Sequence, residues 1–152
     1  MNNSKSGLRR ALANPSVLAA LAVGVGVIGF ADSTYLTFAH YTGATLPCTI
    51  VHGCDTVTKS AYALFFGIPV ALFGVAYYLT IIISAIAYLD SKKEAFLIFL
   101  ASFTIVGLLA SAWFVFLQVA VIGALCIYCL ASAVTSTILF ALGARLKMIF
   151  QK

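Results

Sequence analysis

Four cysteines carry the chemistry open to this sequence, and they fall in two close pairs, Cys48 with Cys54 and Cys126 with Cys129. Cys126-Ile127-Tyr128-Cys129 is a CxxC at the start of an apolar stretch. On a helix, positions i and i+3 share one face, so both sulfurs point the same way. The first helical turn exposes unpaired N–H groups and a partial positive charge, which favour a thiolate. A thiolate is the species that attacks disulfides. Cys48 and Cys54 belong to a loop with Gly43, Pro47 and Gly53, where they can approach each other or reach elsewhere. Blander readings compete: four small buried hydrophobes, two static disulfides, or a zinc site by count. The loop spacing is loose for zinc, and no metal is assigned. A relay between two redox pairs fits the close spacing of both pairs and their shared face.

The elements that must position these thiols are set by composition. The chain has 152 residues, 63% hydrophobic and only 9% charged. Soluble domains carry about 25% charged residues, so this chain lacks the polar shell that water requires. Four apolar stretches cover about 17–39, 65–89, 95–119 and 126–146. Each is long enough to cross a hydrocarbon core of roughly 30 Å as a helix. No alternation of period two suggests a β-barrel, and in lipid the backbone must satisfy itself, which leaves helices. The expectation is an all-α membrane protein: one four-helix transmembrane domain over 1–152, without internal repeats. Pairs four apart on the first stretch, Ala20 with Gly24 and Ala22 with Gly26, suit close helix packing.

Charge orients the bundle. Lys5, Arg9 and Arg10 precede the first stretch, Lys92 and Lys93 separate the second from the third, and Arg145, Lys147 and Lys152 close the fourth. With an even number of spans these clusters fall on one face, which the positive-inside rule puts in the cytoplasm. Both termini are then cytoplasmic and all four cysteines lie on the opposite, disulfide-permissive side. The net charge of +5 reads as this topology signal, with no reason to propose nucleic acid as a partner. The first stretch is too long for a cleaved signal peptide and runs on into Asp32-Ser33-Thr34-Tyr35.

The first outward loop, about 41–61, should hold a short amphipathic helix on the membrane surface. Asp55-Thr56 is a plausible cap, and Val57, Ala61, Leu64 and Phe65 follow at i, i+4, i+7 and i+8. Gly67 and Pro69 lead into the second span. Asp32 is an intramembrane carboxylate, for which packing and proton roles are both open. His40 and His52 lie near the outward surface, and Tyr41 and Tyr62 fit an interfacial belt. Trp113 and Phe114 are candidate walls for a flat apolar ligand, and Gln118 is a candidate hydrogen-bond partner for it.

These residues, in this order, resemble the vitamin K epoxide reductase family in its prokaryotic form, from about Gly29 to Leu139. The motifs are Asp32-Ser33-Thr34-Tyr35-Leu36-Thr37 with His40, Cys48 and Cys54, Ser60 six residues on, Phe66-Gly67-Ile68-Pro69, Phe73-Gly74, and the CxxC. The resemblance implies a four-helix bundle around a quinone of the ubiquinone, menaquinone or vitamin K type. A thioredoxin-fold, DsbA-like partner would give electrons to the loop pair, and the CxxC would reduce the quinone. Cys48 resembles the cysteine that meets the partner, Cys54 the one that shuttles to Cys126, and Cys129 the one facing the quinone. Ser60 resembles the serine that helps arrange the site. Two departures stand out: Val70 where many members have Asn, and Ala133 where vertebrate-type members have Tyr. The quinone cavity is expected beside Cys129, with Val70, Trp113, Phe114 and Gln118 as walls.

In bacterial disulfide-bond oxidoreductase B the wiring is reversed, with the CxxC in the first outward loop. No thioredoxin domain follows the bundle in this sequence, so the partner is expected as a separate protein. The expected function is a membrane thiol oxidoreductase of the prokaryotic cytoplasmic membrane that supports disulfide formation. The alternative is a transporter or structural bundle with static disulfides. A carrier usually places polar or charged groups near the midplane, and Asp32 is the one candidate noted here.

Overall fold

The computed structural model describes residues 14–48 and 53–150. Lys5, Arg9, Arg10 and Lys152 of the basic clusters, and His52, lie outside the described residues. Helix α1 runs Pro15–Thr42. Asn14 caps it by accepting the Ser16 N–H at 3.0 Å, and Pro15 occupies the first turn, where its missing N–H has no intrahelical partner to lose. Gly43, at φ 67°, ends it by donating to the Ala39 carbonyl. A short α2 (Cys54–Thr58) and a 3-10 turn (Ala61–Ala63) follow. Strands β1 (Leu64–Phe65) and β2 (Ile68–Pro69) then lead into α3 (Val70–Ser91) and α4 (Glu94–Phe116). A π-helical turn (Leu117–Ile122) and α5 (Ile127–Phe150) complete the order. The segments Pro15–Thr42, Val70–Ser91, Glu94–Ile122 and Ile127–Phe150 are long and apolar enough to cross a membrane.

The sequence misjudges the entrance to the second span. Residues 64–69 form a hairpin, with Leu64 opposite Pro69 and Phe65 opposite Ile68. Phe66 and Gly67 take φ of 51° and 80°, as a two-residue hairpin turn with both central residues left-handed requires. The surface helix is also shorter than its apolar spacing suggests. It begins at Cys54, one residue before the expected Asp55-Thr56 cap, and ends at Thr58 because Ser60 is extended at ψ 156°. Val57 is buried, but Ala61, Leu64 and Phe65 are exposed. Asp55 bonds outside the helix, accepting the Leu46 N–H at 3.1 Å.

The four long helices form a ring in which α1 packs on α3 and α5, and α4 packs on α5 and α3. Lipid gives no hydrophobic drive for helices to meet, so close approach and polar contacts must do it. Gly26 and Gly29 of α1 meet Ile82 and the Tyr78 ring, and a Cβ on Gly29 would fall on that ring. Gly74 of α3 lies against Ser33 of α1. Of the two small-residue pairs, Ala22 and Gly26 are buried, whereas Ala20 and Gly24 are exposed. The Tyr78 hydroxyl joins α3 to α5, within hydrogen-bonding distance of Thr135 Oγ1 (2.7 Å), Ser132 Oγ (3.0 Å) and Ser136 Oγ (3.1 Å). This buried hydroxyl cluster was missed because scattered Ser, Thr and Tyr do not signal which helix faces meet.

At one end of the ring, Lys92 Nζ reaches Ser16 Oγ at 3.3 Å, so the α3–α4 turn meets the start of α1. The cysteines lie at the other end, after α1 and before α5. The lateral surface is apolar: Ile28, Phe38 and Leu109 are each more than 60% exposed. In water that exposure is unfavourable, but against lipid it is ordinary.

Candidate active site

Cys48 and Cys54 are joined in a disulfide, with Cα atoms 6.2 Å apart, while Cys126 and Cys129 are free thiols. Cys54 and Cys126 are both buried, in one apolar cluster with Leu36, Ala39, Leu46 and Val57, and Cys48 and Cys129 pack against it. Cys54 and Cys126 are thus the two covered cysteines, while Cys48 and Cys129 are half-buried and Cys129 lines a partly open cavity.

Several local interactions seat the loop on the bundle. Asp55 accepts the Leu46 N–H and pairs with Lys59 at 3.3 Å. The Leu46 N–H first, and then Lys59, hold the Asp55 carboxyl below the ordinary carboxylate value. The Tyr128 hydroxyl donates to the Pro47 carbonyl at 3.5 Å, and its ring lies 5.3 Å from Tyr35 of α1. Gly53 rests on the backbone just before α5. A Cβ there would lie 2.6 Å from the Leu125 carbonyl oxygen and 2.8 Å from the Leu125 nitrogen. Only glycine lets the residue before Cys54 sit on the residue before Cys126.

Gln118 positions Cys126. The π turn, closed by Gly123 at φ 66°, brings Gln118 back over the start of α5. Its Oε1 accepts the Cys126 N–H at 2.8 Å, and its side chain is buried. Gln118 Nε2 lies 3.4 Å from the Phe114 carbonyl. Gln118 also lines the cavity, and with its oxygen engaged by Cys126 the expected ligand contact falls to its amide nitrogen. Cys126 itself sits one residue before α5, and its carbonyl accepts the Leu130 N–H at 3.0 Å.

The cavity beside Cys129 has a volume of about 270 Å³. Ser60, Val70, Phe114 and Gln118, all expected around the site, line it together with Ala133 and His40. Trp113 does not: it points outward, 58% exposed, and lies 5.9 Å from Phe116. Phe114, the next residue, is rotated by about 100° around the helix and faces in. Ser60 follows α2 rather than lying on it, and its hydroxyl donates to the Val57 carbonyl at 2.7 Å. Asp32 does not line the cavity, and its Oδ2 is buried without a partner among the described residues. Tyr41 is 67% exposed, whereas Tyr62 lies at the cavity edge.

Two residues that sequence reasoning passed over line the cavity as well, Tyr77 and Tyr78 of α3. The signal that could have found Tyr77 is its position seven residues after Val70, two turns down one helix face. Its hydroxyl is buried without a partner among the described residues. An apolar cavity of about 150 Å³ holds a benzene ring, so this space accommodates a larger flat head group. Apolar walls, a few polar atoms and a thiol at the edge suit a quinone.

Comparison with known proteins agrees with this arrangement. The model of the vitamin K epoxide reductase family matches residues 20–144. A thiol-disulfide oxidoreductase of Arabidopsis thaliana, LTO1, is 34% identical over 123 residues, which cover 75% of this chain. The match takes in 32% of LTO1, so the chain spans about a third of that relative's length. The matched residues include all four cysteines and every wall of the cavity named above, and the chain belongs to the vitamin K epoxide reductase family.

Proposed function

We propose that this integral membrane protein is a thiol oxidoreductase that takes electrons from a thioredoxin-fold partner and delivers them to a quinone, so that the partner gains a disulfide. The observation that carries the reading is the gathering of the four cysteines in one cluster, with buried Cys54 and Cys126 between half-buried Cys48 and a Cys129 that lines an apolar cavity. A partner thiolate attacks Cys48, the reachable sulfur of the loop disulfide, and Cys54 leaves as a thiolate. The partner's second thiol closes the partner disulfide and releases Cys48. Cys54 then attacks Cys126 of an oxidised Cys126–Cys129 pair, Cys129 leaves, and Cys48 resolves the bond to restore the loop disulfide. Thiolate attack through mixed disulfides is the ordinary route of such exchange.

The last step starts from a closed loop pair beside two free thiols. There Cys126 and Cys129 join and lose two electrons and two protons. The quinone, when bound, supplies the acceptor for both. The residues of the chain do the rest: Gln118 fixes Cys126, the apolar walls exclude water, and the seated loop keeps Cys54 beside Cys126. On this reading the basic end faces the cytoplasm and the cysteine end faces the periplasm or cell exterior. The partner is a DsbA-like protein or domain. A membrane-impermeant thiol reagent should label reduced Cys48 from outside, and labelling from the cytoplasmic side alone would overturn that orientation.

The test is a purified-protein assay in which a reduced thioredoxin-fold protein drives quinone reduction. One hydroquinone should appear per partner disulfide formed. Partner oxidation with no hydroquinone, or no partner oxidation at all, would sink the proposal.

A further inference from the structure

Among the described residues, two side chains carry a buried oxygen with no hydrogen-bond partner, Asp32 and Tyr77, and of the two only Tyr77 lines the cavity. A buried hydroxyl without a partner is unfavourable, so either it is tolerated or it awaits one. The phenol is firmly held. Its ring stacks on Phe103 at 5.5 Å and meets Tyr78 edge-on at 5.1 Å. Gly107, also a cavity wall, makes room for it: a Cβ on Gly107 would fall on the Tyr77 hydroxyl. Several other cavity polar groups are already engaged. Thr58 and Ser60 donate to the Cys54 and Val57 carbonyls, Tyr78 sits in its hydroxyl cluster, and the Gln118 oxygen holds Cys126. Ser33, His40, Tyr62 and Ser111 line the cavity too, but none of these carries a fully covered polar atom without a partner.

Val70 and Ala133, both apolar, also line the cavity and offer no hydrogen bond to a carbonyl oxygen. Tyr77 is on the same face of α3 as Val70, about 10 Å deeper along the axis. We infer that the Tyr77 hydroxyl is the hydrogen-bond donor to one carbonyl of the bound quinone, and that it places the ring about two turns below Val70. This rests on the reading that the cavity takes a quinone. A donor at a carbonyl oxygen also draws electron density from the ring, which favours its acceptance of electrons from the Cys129 side.

The experiment uses Tyr77→Phe in the full chain, on a Cys129→Ser background that prevents turnover. The probe is duroquinone, whose fully substituted ring leaves no C–H position for addition of the remaining thiols. Three quantities are measured: thermal stability without quinone, the dissociation constant for duroquinone, and the infrared carbonyl band of the bound probe. Without quinone, Tyr77→Phe should be at least as stable as its parent, because the hydroxyl it removes has no partner. With quinone, it should bind about 3- to 10-fold more weakly, the effect of one net hydrogen bond. The carbonyl band should be down-shifted in the parent and return toward its free position in the variant. Loss of folding or of stability in the quinone-free variant would assign the hydroxyl a structural role and overturn the inference. Unchanged affinity and an unchanged carbonyl band would overturn it too, while leaving the quinone reading intact. A parent that does not bind duroquinone at all would sink the quinone reading itself.

Discussion

Replacing Gly53 by alanine tests how the loop pair is brought to the CxxC. Gly53 has φ −103° and ψ −1°, which any residue can adopt, so the backbone conformation itself is no obstacle. Space is. The new methyl would lie 2.6 Å from the Leu125 carbonyl oxygen, 2.8 Å from its nitrogen and 3.0 Å from the Ala124 Cβ. Two of those neighbours are backbone atoms at the start of a packed helix and cannot rotate away. Restoring ordinary contact requires a separation of about 0.8 Å between loop and helix. Overpacking of this kind costs about 1–3 kcal/mol, so the seated loop should be roughly 5- to 150-fold less favoured. Cys126 is fully buried beneath it. The alkylation rate of Cys126 by a hydrophilic thiol reagent, with the loop pair oxidised, should therefore rise by about that factor. Gly24→Ala is the control, because a Cβ there meets nothing within 4 Å. If Gly53→Ala leaves Cys126 as slow to react as in the parent, the close seating of the loop on Leu125 is not what covers it.

Gln118→Leu removes the acceptor for the Cys126 N–H and leaves a buried donor unpaired, at a cost of about 1–3 kcal/mol. Gln118→Glu keeps an acceptor oxygen and should recover most of the lost positioning, read as the disulfide-exchange rate of Cys126; equal defects in both variants would argue against a capping role. Asp55 has a folded pKa below its unfolded value, so its tie to Leu46 stabilises the loop above about pH 4 and is lost as the pH falls through the folded value. Hydrogen exchange at the Leu46 amide should accelerate on acidification relative to its neighbours, and Asp55→Asn, which keeps an acceptor without the charge, should remove that dependence. A Leu46 amide whose protection ignores pH in the parent would contradict the assignment.

What was legible in the sequence follows from what lipid demands. Long apolar stretches in lipid must be helices, so the four long helices were legible, although the second begins at Val70 rather than about residue 65. The two cysteine pairs were legible because their spacing is short and their chemistry is particular to thiols. The inner faces of the helices were not, since in a bilayer both the lipid-facing and the core-facing sides are apolar. Periodicity then cannot separate Phe114, which lines the cavity, from Trp113, which faces out. The same blindness hid Tyr77 and the Tyr78 hydroxyl cluster, whose meaning depends on helix rotation. Gln118 was noticed for its polarity in an apolar stretch, but its partner on Cys126 depends on a π turn that no propensity announces. The hairpin before α3 was missed although Phe66-Gly67 is a turn-compatible pair, because its flanking residues extend the apolar run.

The central claim is that electrons pass between the two cysteine pairs through Cys54 and Cys126. Cys129→Ala addresses it most directly, because it removes the thiol that would otherwise close on Cys126. In that variant Cys126 can attack Cys54, freeing Cys48, and no Cys126–Cys129 bond can compete. The protein should be trapped with alkylating reagent in acid and mapped by non-reducing peptide mass spectrometry, alongside Cys126→Ala. The account predicts a substantial Cys54–Cys126 disulfide in Cys129→Ala, with Cys48 alkylated in the same molecules. Cys48–Cys54 as the sole disulfide in Cys129→Ala, with Cys126 always alkylated, would contradict it.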